Sequence, residues 1–187
     1  MSEKLKEAAE TADMIITTGG VSVGKKDIMH ESLRLMGAER IFWRVKMKPG
    51  MPTLFSAYKK TSDITATDNC ASEREIPIIS LSGNPFGVAV SIELLIRPAL
   101  EKMMQDPSIG LKEVNGIMAD NFEKGIKGRR FIRAYLENGK FHLPNGLHSN
   151  GVLSSMAGCN CLIDTKTMEN QESRSLNAGD KVGAILL

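Results

Sequence analysis

The sequence predicts an α/β domain, a parallel sheet covered by helices, followed by a small all-β domain. Three observations carry that expectation. Met14-Ile15-Ile16 runs into Thr17-Thr18-Gly19-Gly20-Val21-Ser22-Val23-Gly24-Lys25-Lys26-Asp27 and then into an amphipathic segment, which reads strand, glycine loop, helix. The same order recurs at Pro77-Ile78-Ile79-Ser80-Leu81-Ser82-Gly83-Asn84-Pro85 and the apolar stretch after it. Helical and strand patterns that alternate in this way build a sheet with helices against it. From Leu111 onward the pattern changes to short alternating runs without a long helix. The expected boundary falls near Asp106-Pro107, with the α/β domain at 1–107 and the β domain at 108–187.

The elements follow in order. Ser2 is placed to cap a helix whose apolar stripe is Leu5, Ala8, Ala9 and Ala12, and Asp13 leads into a strand at Met14–Thr17. The spacing predicts a helix over Ile28–Met36 that buries Ile28, Met29, Leu33 and Met36 and stops at Gly37. Ile41-Phe42-Trp43-Arg44-Val45 is the next strand, and Thr53–Ser56 a short one. Pro49-Gly50 suits the centre of a type II turn, and Lys46 and Lys48 share one side of the pleat if the strand continues that far. The polar stretch Lys59 to Glu75, with Asp63, Asp68 and Cys70, reads as a surface excursion or hairpin tip. Asn84 is a good N-cap with Pro85 at the first helical position. The helix then runs from Phe86 to about Met104, kinked at Pro98, with Val88, Val90, Ile92, Leu94, Leu95, Leu100 and Met103 largely buried. In the β domain, Gly116–Asn121, Phe131–Glu137, Gly139–Leu143, Cys161–Asp164 and Lys181–Leu187 read as strands, and Asn138-Gly139 as a hairpin turn.

Composition narrows the partners. The chain has 187 residues, 42% hydrophobic and 25% charged, with a net charge of +2. That is enough for a real core, and it implies no general attraction to nucleic acid or membranes. Three cysteines, Cys70, Cys159 and Cys161, cannot all pair within one chain. Cys159-x-Cys161 lacks a second ligand pair at zinc spacing, so the reading is reduced thiols in a cytoplasmic protein. The charged N-terminus has no signal-peptide pattern, and no apolar run is long enough to span a bilayer. The histidines His30, His142 and His148 show no triad or metal spacing.

The glycine loop carries the chemistry. Its nearly bare backbone can turn with positive φ and bring N–H groups up to an anion, helped by the start of the next helix. Asp27 adds a carboxylate, which an anion site accommodates when a cation sits between. The loop fits neither the Walker pattern nor the dinucleotide fingerprint, and a tight turn with Asp27 as a plain helix cap explains it equally well. Two glycine loops at strand ends strengthen the anionic-ligand reading, because open parallel sheets bind ligands beyond those ends. Lys124, Lys127, Arg129 and Arg130 read as a solvated basic face, whereas Arg133, inside a strand, is the one more firmly held.

Three motifs together resemble the C-terminal half of molybdopterin molybdenumtransferase, the MoeA and gephyrin E-domain family. They are Thr18-Gly19-Gly20-Val21-Ser22-Val23-Gly24-x-x-Asp27, Lys48-Pro49-Gly50-x-Pro52 and Ser82-Gly83-Asn84-Pro85. Gly151-Val152-Leu153-Ser154-Ser155-Met156-Ala157-x-x-Asn160 and Ala178-Gly179-Asp180-x-Val182 are similar to its small β domain. The resemblance implies a three-layer molybdopterin-binding domain like that of MogA and MoaB, N-terminally incomplete, with a β-barrel-like domain behind it. It implies a transferase that inserts molybdate into adenylylated molybdopterin with magnesium-dependent release of AMP. In that reading Asp27 binds magnesium, and Asp27 and Lys48 are the catalytic pair. Gly19, Gly20, Val21, Ser22, Val23, Gly24, Arg44, Pro49, Gly50, Ser82, Gly83, Asn84, Pro85, Arg133 and Asn150 contact the substrate. The sequence departs from the family at Met51, where a second lysine is usual, and at Ser82, where proline is common. The family's two further N-terminal domains and the opening strands of its sheet have no counterpart here. The resemblance therefore also implies a homodimer or an upstream MoeA N-terminal polypeptide as partner. Two other readings use the same fold: a non-catalytic molybdopterin-binding or scaffolding module, and a molybdopterin adenylyltransferase, which lacks the β domain.

Overall fold

The computed structural model describes residues 1–24, 27–61, 73–123, 128–145, 153–165 and 175–187. The chain divides into two compact units, Met1–Val45 with Pro52–Gly83, and Lys46–Met51 with Asn84–Leu187. This division differs from the expected one at 107/108: the helical stretch after Gly83 and the Lys-Pro-Gly segment go with the β-rich part.

The first unit contains helix α1 (Ser2–Thr11), strand β1 (Ile15–Thr18), helix α2 (Met29–Met36), strand β2 (Glu39–Trp43), strand β4 (Leu54–Thr61) and strand β5 (Glu73–Leu81). Its sheet has the order β1-β5-β4-β2. Only β1 and β5 run parallel; β4 pairs antiparallel with both β5 and β2. The expected parallel sheet is thus a mixed one. A parallel pair needs a crossover of about a dozen residues or more. The chain makes that crossover between β1 and β5, whereas β4 and β5 are hairpin partners, with 62–72 between them. Asp63, Asp68 and Cys70 lie outside the described residues.

Helices α1 and α2 cover one face of this sheet. Leu5 and Ala9 of α1, and Met29, Leu33 and Met36 of α2, pack with Ile15, Val21, Leu54, Ile76 and Ile78 in one buried cluster. The helical spacings i, i+4 and i+7 put those side chains on one stripe. Gly37 ends α2 in the left-handed conformation, as expected. Two details differ from expectation. Met1, not Ser2, stands at the cap of α1, without a side-chain bond, and Ile28 is exposed because it precedes the first turn of α2.

The second unit begins with the short strand β3 (Met47–Lys48), followed by helix α3 (Pro85–Ser91), a π-helical turn (Ile92–Ile96), helix α4 (Arg97–Met104) and a 3₁₀ turn (Pro107–Ile109). The strands are β6 (Lys112–Met118), β7 (Arg129–Glu137), β8 (Lys140–His142), β9 (Cys161–Asp164) and β10 (Lys181–Leu186), with a 3₁₀ turn at Leu153–Met156. The sheet order β3-β7-β8-β6-β10-β9 closes on itself because β9 also pairs with β7. A closed ring of strands leaves no open edge among its members. Met118, Phe122, Ile132, Ala134, Phe141, Cys161, Ile163, Leu176, Val182 and Ala184 fill it. Each fully buried large side chain such as Phe141 contributes about 1.5–3 kcal/mol. Asn138 and Gly139 both have positive φ, 50° and 75°, between the register partners Glu137 and Lys140, which is the two-residue hairpin the sequence indicates.

The single kinked helix over 86–104 is corrected to two helices joined by the π-helical turn, whose last residue is two before Pro98. Proline has no N–H to give to the carbonyl four residues back, so the regular ladder cannot pass through it. The buried face also differs. Val90 is buried, but Ile92 and Met103 are exposed, and Val88, Leu94, Leu95 and Leu100 are only half-buried. Phe86, Gly87, Ser91 and Ile96 are the other buried residues of this stretch.

Candidate functional site

In the first unit both glycine loops leave neighbouring parallel strands at the same level. Thr18 of β1 is in register with Leu81 of β5, and the Gly19 N–H donates to the Leu81 carbonyl at 2.9 Å. A Cβ on Gly83 would stand 3.5 Å from the Gly19 Cα, so the two backbones lie against each other. Gly19 and Gly20 have φ of 83° and 70°, a conformation that side chains disfavour. The Gly20 carbonyl accepts from the Met29 N–H at 3.0 Å, which joins the loop to the start of α2. Val21 is buried, while Ser22, Val23 and Gly24 form an exposed rim.

Asp27 closes the loop. Its Oδ2 accepts from the Gly24 N–H at 2.5 Å, and its own N–H donates to the Gly24 carbonyl at 2.9 Å. The residue at the cap of α2 is Ile28, so Asp27 is not the plain helix cap that was the alternative. Its carboxylate is turned back into the loop. Lys25 and Lys26 lie outside the described residues. Ser82, in the second loop, has a buried hydroxyl without a hydrogen-bond partner among the described residues. A buried hydroxyl in that state is a place where a bound group could supply the missing bond. Arg44 ends up beside the first loop through its neighbour: its guanidinium carbon is 4.2 Å from the Trp43 ring centroid, and the Trp43 indole N–H donates to the Val21 carbonyl at 3.0 Å.

The second unit gathers the other expected residues around the first turn of α3. The Asn84 side chain caps that helix, accepting from the Gly87 N–H at 3.0 Å, with Pro85 next. Gly50 has φ 96°, the sign the second central position of a type II turn requires. A Cβ there would stand 2.6 Å from Met47 Cε and 2.7 Å from Ser91 Oγ, so only glycine fits. Pro49 is buried beside it and Lys48 is exposed. Arg133 is 1% exposed, its guanidinium carbon 4.4 Å from the Phe86 ring centroid. Desolvation lowers its pKa, with the Cys159 thiol opposing that shift. Of the basic residues read as a solvated face, Arg129 pairs with Asp164 at 2.7 Å, and Arg130 is half-buried with its pKa lowered by desolvation. Lys124, Lys127, His148 and Asn150 lie outside the described residues.

A divalent cation can be tested against these residues. Among the described residues no group of three or more His, Cys, Asp or Glu is placed to hold a metal ion. A complete protein cage is therefore not what the structure offers. Magnesium is commonly held by one or two carboxylates, with water and substrate phosphate oxygens completing its shell. Asp27, one hard carboxylate next to loop N–H groups, fits that donor set. Ser82 is assigned to the site through its motif, and the structure adds that its hydroxyl is buried without a partner among the described residues. Trp43 is the feature that sequence reasoning missed: its link to the loop is a hydrogen bond across twenty-two positions, which has no local signature.

The fold and the two loops define a class, an α/β domain with glycine loops at the ends of two parallel strands, followed in sequence by a small β domain. Residues 1–102 match the family described as "Probable molybdopterin binding domain", and residues 115–187 match "MoeA C-terminal region (domain IV)". The chain belongs to the molybdopterin molybdenumtransferase (MoeA) family, of which it represents the C-terminal portion. It is 31% identical over 185 residues to the molybdopterin molybdenumtransferase of Staphylococcus aureus strain Mu50, covering 97% of this chain and 40% of that protein. For the protein of the same name from Staphylococcus epidermidis the identity is 28% over 187 residues, covering 98% and 40%. The molybdopterin biosynthesis MoeA protein of Pyrococcus horikoshii OT3 superposes with a TM-score of 0.68 at 22% identity, covering 100% of this chain and 38% of that one. A molybdenum cofactor biosynthesis protein of Pyrococcus furiosus gives 0.66 at 18%, covering 99% and 53%. The chain thus spans about two fifths of the length of the curated relatives it matches. No helix among the described residues is long and apolar enough to cross a membrane.

Proposed function

We propose that this chain carries a substrate-binding part of a molybdenum-inserting site, taking adenylylated molybdopterin and molybdate and releasing AMP with magnesium. The observation that carries the reading is the meeting of the two glycine loops at the ends of β1 and β5, with the Asp27 carboxylate folded back onto one of them. The N–H groups of Gly20, Val21, Ser22 and Val23 would donate to phosphate oxygens, and the Ser82 hydroxyl to a further oxygen. Asp27 would hold magnesium, which when bound offsets the negative charge gathered on the phosphate. Lys48 would face the anionic substrate or molybdate, and Arg44, Asn150 and the desolvated Arg133 would fix its orientation, as would the Pro49-Gly50 turn and the Gly83-Asn84-Pro85 wall. Such a site needs no side-chain nucleophile. Positioning and charge neutralisation supply the rate enhancement. A homodimer, or an upstream MoeA N-terminal polypeptide, would complete it.

The binding step is testable without turnover. Calorimetric titration with AMP is expected to show binding that strengthens at least tenfold when magnesium is added, and that this gain is lost in Asp27→Asn. Equal affinity with and without magnesium would overturn the role given to Asp27.

A further inference from the structure

Trp43 is the last residue of β2 and stands in a row with Leu54, Ser80 and Thr17 across the helix-covered face of the first sheet. Three groups meet its ring. The indole N–H donates to the Val21 carbonyl at 3.0 Å. The Arg44 guanidinium carbon lies 4.2 Å from the ring centroid. The His30 ring meets it edge-on, centroids 4.8 Å apart and planes at 86°. Arg44 itself has φ 74°, a conformation that a residue with a side chain keeps only where its surroundings impose it. Its N–H donates to the Thr53 carbonyl at 2.8 Å, and its cation rests on the indole face, so both ends of the residue are held.

The bond to Val21 matters for geometry. In a trans peptide the C=O and the following N–H point in opposite directions. Fixing the Val21 carbonyl on the indole, inside the unit, therefore turns the Ser22 N–H toward the exposed rim of the loop. A glycine-rich loop without such an anchor can flip its peptides and lose the alignment of its donors. A backbone anion site works best when its donors are already in place.

We propose that Trp43 is a positioning residue that holds the glycine-loop backbone and the Arg44 guanidinium in one frame, shaped for the oxygens of a nucleotide phosphate ester. The inference rests on the glycine loop being the phosphate site. Trp43→Phe removes the N–H and keeps a ring for Arg44; Trp43→Ala removes both. Two measurements test it on the chain as it stands: hydrogen exchange of the amides at 19–24 without ligand, and calorimetric titration with AMP and magnesium. Losing one hydrogen bond is expected to weaken AMP binding about 5–10-fold in Trp43→Phe. Exchange should quicken at 19–24 and stay unchanged in α1 and β5, which general loosening of the core would not produce. Arg44→Gln should weaken binding in the parent and add nothing in Trp43→Ala. If the parent binds AMP and Trp43→Phe matches it in affinity and exchange, the positioning role fails while the phosphate site stands. If the parent binds no AMP, the phosphate reading falls and this inference with it.

Discussion

Asp27 turns its carboxylate back three residues to the Gly24 N–H instead of forward to the helix that follows. That orientation separates its bond within the loop from the magnesium role proposed for it. Asp27→Asn keeps an oxygen for the Gly24 bond and removes the charge, so the melting temperature should stay within a few degrees of the parent while magnesium-dependent binding is lost. Gly50 is a different kind of residue, fixed by sterics. Gly50→Ala puts a Cβ within 2.6 Å of Met47 Cε at φ 96°, and should destabilise the second unit by about 1–3 kcal/mol in urea titrations. The thiols differ too. Burial first, and the neighbouring Cys159 second, push Cys161 up to about 12 from 9.0. Its folded pKa is raised, so its contribution to stability is complete below about pH 9 and lost as pH rises toward 12. The slope of stability against pH in that window should flatten in Cys161→Ala. At neutral pH, iodoacetamide should label the half-buried Cys159 well before Cys161.

Elements built on local rules were legible in the sequence. Asn84 and Pro85 start α3 because an oxygen acceptor and a residue without an N–H both suit a helix start. Asn84→Ala should cost about 1 kcal/mol, read from the denaturation midpoint. Asn138-Gly139, Gly37 and strand β9 followed the same kind of rule. The stretch after Val90 did not. A helical apolar period shows which residues could share a stripe, but a π-helical turn adds a residue to one turn and rotates everything after it. Met103, after the turn, therefore points away from the face that its spacing suggested, and Ile92, which opens the turn, is exposed as well. Strand direction was equally hidden. Thr53–Ser56 and the run from Pro77 read as strands, but their antiparallel pairing does not show in the sequence, and β4 and β5 extend into the polar stretch Lys59 to Glu75 that reads as a surface excursion or hairpin tip.

At the scale of the whole chain, the order of an α/β part and a β part was legible because hydrophobic period and length distinguish them. The way the chain shares its segments between two compact units was not: Lys46–Met51 joins the unit of the later strands through the pairing of β3 with β7, whose register partners Met47 and Arg129 are 82 positions apart in sequence. The candidate site shows the same division. Glycine loops announce themselves, because their chemistry is backbone chemistry and needs only small residues at a strand end. Trp43 reaches the loop through three-dimensional adjacency and left no spacing to read. Family membership adds an expectation about substrate, and in the proposed reading the two glycine loops and Asp27 are the residues through which it would act. The measurement that tests the central claim most directly is AMP release from adenylylated molybdopterin, with molybdate and magnesium, by this chain supplied with an upstream MoeA N-terminal polypeptide, and by Asp27→Ala supplied in the same way. The account predicts release by the complemented parent that requires magnesium and falls at least about a hundredfold in the variant. A folded, complemented parent that releases no AMP, or a complemented Asp27→Ala chain that releases it as fast, would contradict it.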